Sequence, residues 1–220
     1  MIVRFGFRLV SILFHPIFIP LYSIYLYFFI DNYQNKLIKI SDSSFLTALY
    51  TLMLLIGVLF PLLSVFIMYR TKIISSITFP KRKERSPIIF IVFVYYVMAY
   101  FMYRSWNITY YNIIEGFVSF LFGGIIVLFI AFIINNFYKI SLHALAIGSM
   151  TGGFLALTRT LSPILNSNSL VIINCILLFS MGLVASSRLY LKAHNSKQIY
   201  LGLIVGFVIE YYIVLYKIII

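Results

Sequence analysis

The chain has 220 residues, of which 63% are hydrophobic and only 10% are charged, and its mean hydropathy is +1.05. A soluble globular domain is about 45–50% apolar and about 25% charged, so the composition excludes that class. The apolar runs are continuous rather than alternating, which excludes a membrane β-barrel. The sequence therefore predicts an all-α, polytopic helical bundle that forms a single integral-membrane domain over residues 1–220.

Basic residues outnumber acidic ones by 17 to 5. In a membrane protein this excess reflects loops that face anionic lipid and the cytoplasm. We therefore expect membrane lipids as partners and no nucleic acid, and the sequence leaves the oligomeric state open.

Hydrophobic runs separated by short polar gaps predict about seven spans, each near the ~20 residues that a bilayer requires. Turn and helix-breaking residues mark the gaps, including Pro80, Pro87 and Ser162-Pro163. The third run is the shortest. In chain order the predicted spans are Leu9–Ile30, Phe45–Tyr69, Ile88–Tyr103, Asn112–Ile134, Ser141–Leu161, Leu170–Leu189 and Ile199–Ile220.

Strict alternation of these spans assigns each loop to one membrane face. The N-terminus and residues 70–87, 135–140 and 190–198 share a face, here called face one. Twelve of the 17 basic residues lie on face one or at the span ends beside it. The positive-inside rule therefore predicts that face one is cytoplasmic.

Residues suited to binding phosphate gather on face one. Ser141 begins the fifth span, where free backbone N–H groups favour an anion and a serine caps the helix. His143 follows two residues later. Arg188 lies at the end of the sixth span, and a guanidinium can grip two phosphate oxygens. His194 precedes the seventh span, and Gln198 should lie one helical turn from it.

These residues resemble the motifs of the type 2 phosphatidic acid phosphatase superfamily, integral-membrane relatives of the vanadium haloperoxidases. Its third motif, S-R-x5-H-x3-D, is matched by Ser187, Arg188 and His194, with Gln198 in place of the final Asp. The resemblance covers roughly Lys81 to Gly206.

The other two motifs are matched in part. Ser141 and His143 fit P-S-G-H, but Ile140 and Leu142 stand for its Pro and Gly. In the first motif, K-x6-R-P, a residue is inserted between Arg85 and its proline, and Lys81 and its neighbours are candidates for the displaced lysine. The resemblance implies a phosphatase-like core of six helices, with the first span, which contains His15-Pro16, outside it.

The resemblance implies phosphoryl transfer through a phosphohistidine, without a metal or cofactor. By this reading His194 attacks phosphorus, His143 protonates the leaving oxygen and Gln198 orients His194. The phosphate would be bound by Arg188, Arg85, Lys81 and Ser141. The substrate would be a lipid phosphate or a polyprenyl diphosphate, and the location a bacterial inner (cytoplasmic) membrane.

Two other functions stay open. Because Gln198 and the altered first motif depart from the family, the chain is alternatively a catalytically inactive relative that binds lipid or assists assembly in the membrane. A small transporter with Glu210 on its path is a third interpretation. Within the seventh span, Glu210 is otherwise expected to form a structural hydrogen bond inside the bundle. Gly123-Gly124, Gly148 and Gly152-Gly153 indicate close helix packing.

Overall fold

The computed structural model describes residues 2–30, 33–41, 43–76, 82–109, 114–161 and 168–218. Within these ranges the chain forms helices and no strand, which confirms the all-α bundle. A 3₁₀ turn, Pro16–Phe18, separates α1 from α2, and a π-helical segment, Met53–Leu59, joins α4 to α5. The α-helices are α1 (Ile2–Leu13), α2 (Ile19–Phe29), α3 (Tyr33–Ser41), α4 (Ser43–Leu52), α5 (Phe60–Arg70), α6 (Arg85–Thr109), α7 (Glu115–Phe137), α8 (Leu142–Leu161), α9 (Asn168–Tyr190) and α10 (Ser196–Leu215).

Six stretches of the described residues are long and apolar enough to cross a membrane. They correspond to six of the predicted spans. The predicted fifth span corresponds to α8, which has 20 residues but is not among the six. Its glycines and polar residues lower its hydropathy, and most of its described residues are buried against other helices. The six stretches are Val3–Phe29, Ser44–Arg70, Arg85–Asn107, Glu115–Phe137, Ser169–Tyr190 and Ser196–Leu215.

Several predicted boundaries were wrong. The third span is not short, because α6 has 25 residues; Pro87 lies in its first turn, where proline is tolerated and its missing N–H has no cost. The first loop contains a short helix, α3. The turn at Ser162-Pro163 lies outside the described residues.

The first span is broken rather than continuous. His15 adopts an extended conformation, with φ −65° and ψ 135°, as expected for the residue before a proline. Pro16 also lacks the N–H that would continue the helical ladder. The break separates α1 from α2, so the prediction of one continuous span over Leu9–Ile30 was wrong.

Helices α8 and α10 form the closest packed pair of the bundle, through glycines on both helices. A Cβ atom at Gly148 would lie 2.6 Å from the carbonyl oxygen of Leu203, and one at Gly202 would lie 2.8 Å from that of Ser141. Gly152 and Gly206, one turn further along each helix, are equally close to the opposite backbone. The predicted role of Gly148 and Gly152 in helix packing is confirmed, and it holds the two helices that carry His143 and Gln198 in fixed register.

Glu210 lies in the middle of α10 and is fully buried. The Ser149 hydroxyl on α8 donates a 2.7 Å hydrogen bond to its Oε2 atom. Room for its side chain comes from Gly123 on α7 and Gly153 on α8, where an added Cβ would contact the Glu210 side chain. The expected hydrogen bond inside the bundle is therefore present.

Candidate functional site

The turn after α9 sets the spacing between Arg188 and His194. Lys192 adopts a left-handed conformation with φ 53°. The N–H of Ala193 donates to the carbonyl oxygen of Arg188 at 3.2 Å, and that of Lys192 to Leu189 at 2.9 Å. This pair of bonds is a Schellman motif, which ends the helix and reverses the chain. It returns His194 toward the end of α9 that carries Arg188.

Helix α10 starts immediately after His194. The Asn195 side chain accepts a 2.9 Å hydrogen bond from the N–H of Gln198 and so caps the helix. This fixes Gln198 in the first turn, where its Oε1 atom lies 2.9 Å from Nδ1 of His194. When Nδ1 carries the proton and donates to this oxygen, the lone pair of Nε2 is free to attack an electrophile.

The start of α8 is fixed against the same turn of α10. The Ser141 hydroxyl caps α8 by accepting a 3.4 Å bond from the N–H of Ala144, as predicted. The N–H of Ser141 donates to the carbonyl oxygen of Gln198 at 3.3 Å. Leu142 packs against a small apolar cluster that includes Ile140 and Leu145.

Two cations approach this turn from other elements. Lys139, just before α8, donates through Nζ to the carbonyl oxygen of Ala193 at 3.2 Å. Arg85, at the start of α6, is buried and donates through Nη1 to the carbonyl oxygen of Ile140 at 3.3 Å. The segments before α6, before α8 and before α10 therefore meet at one end of the bundle, as the alternation of spans predicted.

The surroundings of His194 disfavour its charged form. The side chain is 8% exposed. Burial lowers the pKa of His194 to about 4; its bond to Gln198 opposes this shift, whereas Arg85, Lys139 and Arg188 add to it. The pKa of Lys139 is lowered by burial and by Arg85 and Arg188. At neutral pH, His194 is thus an uncharged imidazole among cations.

Two residues of the first span that contact this site, Ser11 and His15, were not predicted from the sequence. Arg188 donates through Nη1 to the Ser11 hydroxyl at 2.6 Å. Nε2 of His143 lies 3.1 Å from the carbonyl oxygen of Ser11, to which its N–H can donate. The ring of His15 contacts that of His143 edge to face, with centroids 5.1 Å apart. A serine and a histidine four residues apart in an apolar run were the only available signal.

Helix α1 is held against α9 beside these contacts. The Ser187 hydroxyl donates a 2.8 Å hydrogen bond to the carbonyl oxygen of Phe7, and the rings of Phe7 and Tyr190 have centroids 4.6 Å apart. Phe7 and Ser11 are one helical turn apart, so the same face of α1 contacts α9 through both. The motif serine, Ser187, is fully buried and attaches α1 to the end of α9.

The structure therefore brings together most of the residues selected from the sequence. His194 contacts Gln198. Arg188 and His143 both bond to Ser11. Ser141 is bonded to the backbone of Gln198. Arg85 and Lys139 act on His194 through their charge. Lys81, selected as a phosphate ligand, lies outside the described residues.

Residues 134–218 match the family model described as PAP2 superfamily. This range contains α8, α9 and α10 with His143, Arg188, His194 and Gln198, and it excludes α1 and α6. No curated protein and no solved structure matches the chain.

Proposed function

We propose that this chain, a member of the type 2 phosphatidic acid phosphatase superfamily, is a membrane phosphatase that forms a phosphohistidine on His194. Its substrate is a lipid phosphate or a polyprenyl diphosphate. The observation that carries the proposal is the contact between His194 and Gln198 beside Arg85, Lys139 and Arg188. A buried neutral imidazole next to several cations suits attack on a phosphate dianion.

In the first step, Nε2 of His194 attacks the terminal phosphorus and the bond from that phosphorus to the leaving oxygen breaks. The leaving oxygen is the lipid oxygen of a lipid phosphate or the bridging oxygen of a polyprenyl diphosphate. Arg188 and Arg85 stabilise the charge that accumulates on the equatorial oxygens. The leaving oxygen takes a proton from His143, for which the ring must carry a second proton. The negative charge of a bound phosphate favours that doubly protonated ring.

In the second step, water attacks the phosphohistidine, the P–N bond breaks and inorganic phosphate is released. The lone pair of Nε2 returns to His194, and a proton from the attacking water restores His143. Gln198 holds Nδ1–H through both steps and so fixes the tautomer and the ring orientation. Its amide carries no charge, so it supports the imidazolium less than a carboxylate would.

The site lies at the end of the bundle that carries the N-terminus. We propose that this end is cytoplasmic, which the excess of basic residues there supports. Lipid phosphates have their head groups at the membrane surface, where a site at the end of a bundle can reach them.

The test is phosphate release by the purified protein in detergent, from phosphatidic acid and from undecaprenyl diphosphate, with and without EDTA. We expect turnover that is insensitive to EDTA and that falls by ~10³-fold or more in His194→Ala, because the nucleophile is removed. Lys197→Ala is the matched control, since Lys197 is an exposed cation one turn away. Equal turnover in wild type and His194→Ala would contradict the proposal.

A second function is supported by Gln198. An amide where the family has a carboxylate suits a protein that binds lipid phosphate without hydrolysing it. This alternative predicts binding of short-chain phosphatidic acid that Arg188→Ala abolishes, with no phosphate release by wild type. Measurement of binding and release on the same preparation separates the two functions.

A further inference from the structure

The Arg188 guanidinium is held from one side by α1. Its Nη1 atom donates to the Ser11 hydroxyl at 2.6 Å. Its Nε atom is buried and has no hydrogen-bond partner within the described part of the chain. A buried charged donor without a partner is costly and rare. Arg188 therefore has one end engaged and another donor available to a ligand.

The planar guanidinium presents distinct edges. Nε and Nη2 lie along one edge, and a phosphate binds such an edge through two parallel N–H···O bonds. Nη1 lies outside this edge, on the same side of the group as Cδ. A partner on Nη1 therefore fixes the plane and the rotation of the group without occupying the edge that begins at Nε.

We infer that Ser11 is a positioning residue, which orients Arg188 so that its Nε–Nη2 edge receives the substrate phosphate. The inference rests on the proposed function and extends it, because Ser11 lies outside the matched range 134–218. The first span thereby completes a phosphate site whose other residues lie on α6 and α8–α10.

The backbone of Ser11 acts in the same way on His143. Its carbonyl oxygen lies 3.1 Å from Nε2 of His143, so one residue holds both the phosphate-binding arginine and the proposed acid. Ser11 can do this because α1 is attached to α9 by the contact of Phe7 with Ser187. Because the helix is broken at His15-Pro16, α1 can pack on α9 in a direction different from that of α2.

The test compares Ser11→Ala with Ser11→Thr, which keeps a hydroxyl, and with Ile12→Ala as a control. Ile12 is the next residue of α1 and is 61% exposed. Two readouts are used. The first is kcat and KM for phosphatidic acid. The second is the binding of orthovanadate, a phosphate mimic, measured from the concentration at which it raises the unfolding temperature. We expect Ser11→Ala to raise KM and weaken vanadate binding by about tenfold, the usual effect of losing a hydrogen bond to a charged group. Ser11→Thr should restore most of the loss, and Ile12→Ala should leave both readouts unchanged.

The coupling between Ser11 and Arg188 is the readout that a merely structural role would not produce. A lysine at position 188 has no Nη1 atom, so Ser11→Ala should have no further effect in an Arg188→Lys background. Independent, multiplicative effects of the two substitutions would overturn the inference. So would tighter vanadate binding in Ser11→Ala, which would mean that Ser11 competes with phosphate for Arg188.

The outcomes separate this inference from the proposed function. If turnover depends on His194 but not on Ser11, only the inference fails. If wild type has no turnover, the proposed function fails, and vanadate binding by the same variants still decides whether Ser11 positions Arg188 for an anion. If wild type neither hydrolyses substrate nor binds vanadate, both are overturned.

Discussion

The cations at the two ends of helix α10 have different kinds of hydrogen-bond partner. At the C-terminal end, Lys217 pairs with Glu115 at 3.2 Å, and the two side chains are 49% and 38% exposed. At the His194 end, Lys139 donates to a backbone carbonyl and Arg188 to a serine hydroxyl, both of which are neutral acceptors. An exposed ion pair contributes little to stability, whereas partly buried cations on neutral acceptors favour a bound anion. This difference supports the proposed phosphate site at the His194 end.

A similar contrast exists between the first turn and the middle of α10. Gln198, in the first turn, offers His194 an uncharged amide oxygen. Glu210, in the middle, has a carboxyl group that is fully buried among glycines and hydrogen-bonded to Ser149. The acidic side chain of this helix is thus in the packed interior, and the partner of His194 is an uncharged amide.

The substitution Gln198→Glu gives His194 a charged partner, as Lys217 has in Glu115, and should have the largest effect. Glutamate has the same length and can keep the 2.9 Å contact with His194. In a serine protease, exchanging the corresponding Asp for Asn costs about 10⁴ in kcat, so restoring a carboxylate should raise kcat by roughly 10–100-fold. The measurement is kcat for phosphatidic acid.

Gln198→Ala is the companion variant for that experiment. It removes the partner of Nδ1 and should lower kcat, because the ring loses its fixed tautomer. If Gln198→Glu leaves kcat unchanged or lowers it while Gln198→Ala has no effect, Gln198 does not orient His194.

The packed middle of α8 and α10 should be sensitive to small changes in volume. A Cβ atom at Gly206 would lie 2.8 Å from the N atom of Ser149, so Gly206→Ala must separate two backbones. We expect it to destabilise the protein by about 1–3 kcal/mol, the usual cost of overpacking, measured as a lower thermal unfolding temperature in detergent. In Gly182→Ala the new methyl group meets nothing within 4 Å, so the unfolding temperature should not fall. Equal effects of the two substitutions would contradict the close packing.

Removal of one cation from the His194 end should shift the pH profile modestly. The uncharged imidazole is the nucleophile, so the acid limb of kcat/KM should appear only as the pH drops toward the His194 pKa of about 4. Lys139 helps to lower that pKa, so Lys139→Gln should move the acid limb to higher pH by less than about one unit. A limb near pH 6.5 in wild type, unchanged by Lys139→Gln, would show that His194 does not lie in this field.

Chain patterns were sufficient for much of this site. Alternation of spans placed Arg85, Arg188 and His194 at one end of the bundle, and helical spacing predicted the contact between His194 and Gln198. These inferences succeeded because apolar runs and the periodicity of helices are local properties of the sequence.

What the sequence did not reveal depends on tertiary contacts. Ser11 and His15 are separated from His143 by more than 120 residues, and only the packing of α1 on α9 brings them together. Lys139 lies in a short loop of the sequence, and only its bond to the carbonyl oxygen of Ala193 shows that it lies near His194. The predicted third span is shorter than α6 because Pro87 resembles a boundary in the sequence, whereas proline is favoured in the first turn of a helix.

The most direct test of the central claim is the detection of phosphate on His194 itself. Wild-type protein is mixed with phosphatidic acid labelled with ³²P in the head group, quenched with alkali within one turnover, and analysed for phosphoprotein. We predict a label that is stable to alkali, labile to acid, located by peptide mapping at His194 and absent in His194→Ala. Phosphate release from wild type with no protein-bound label, or a label that persists in His194→Ala, would contradict the account.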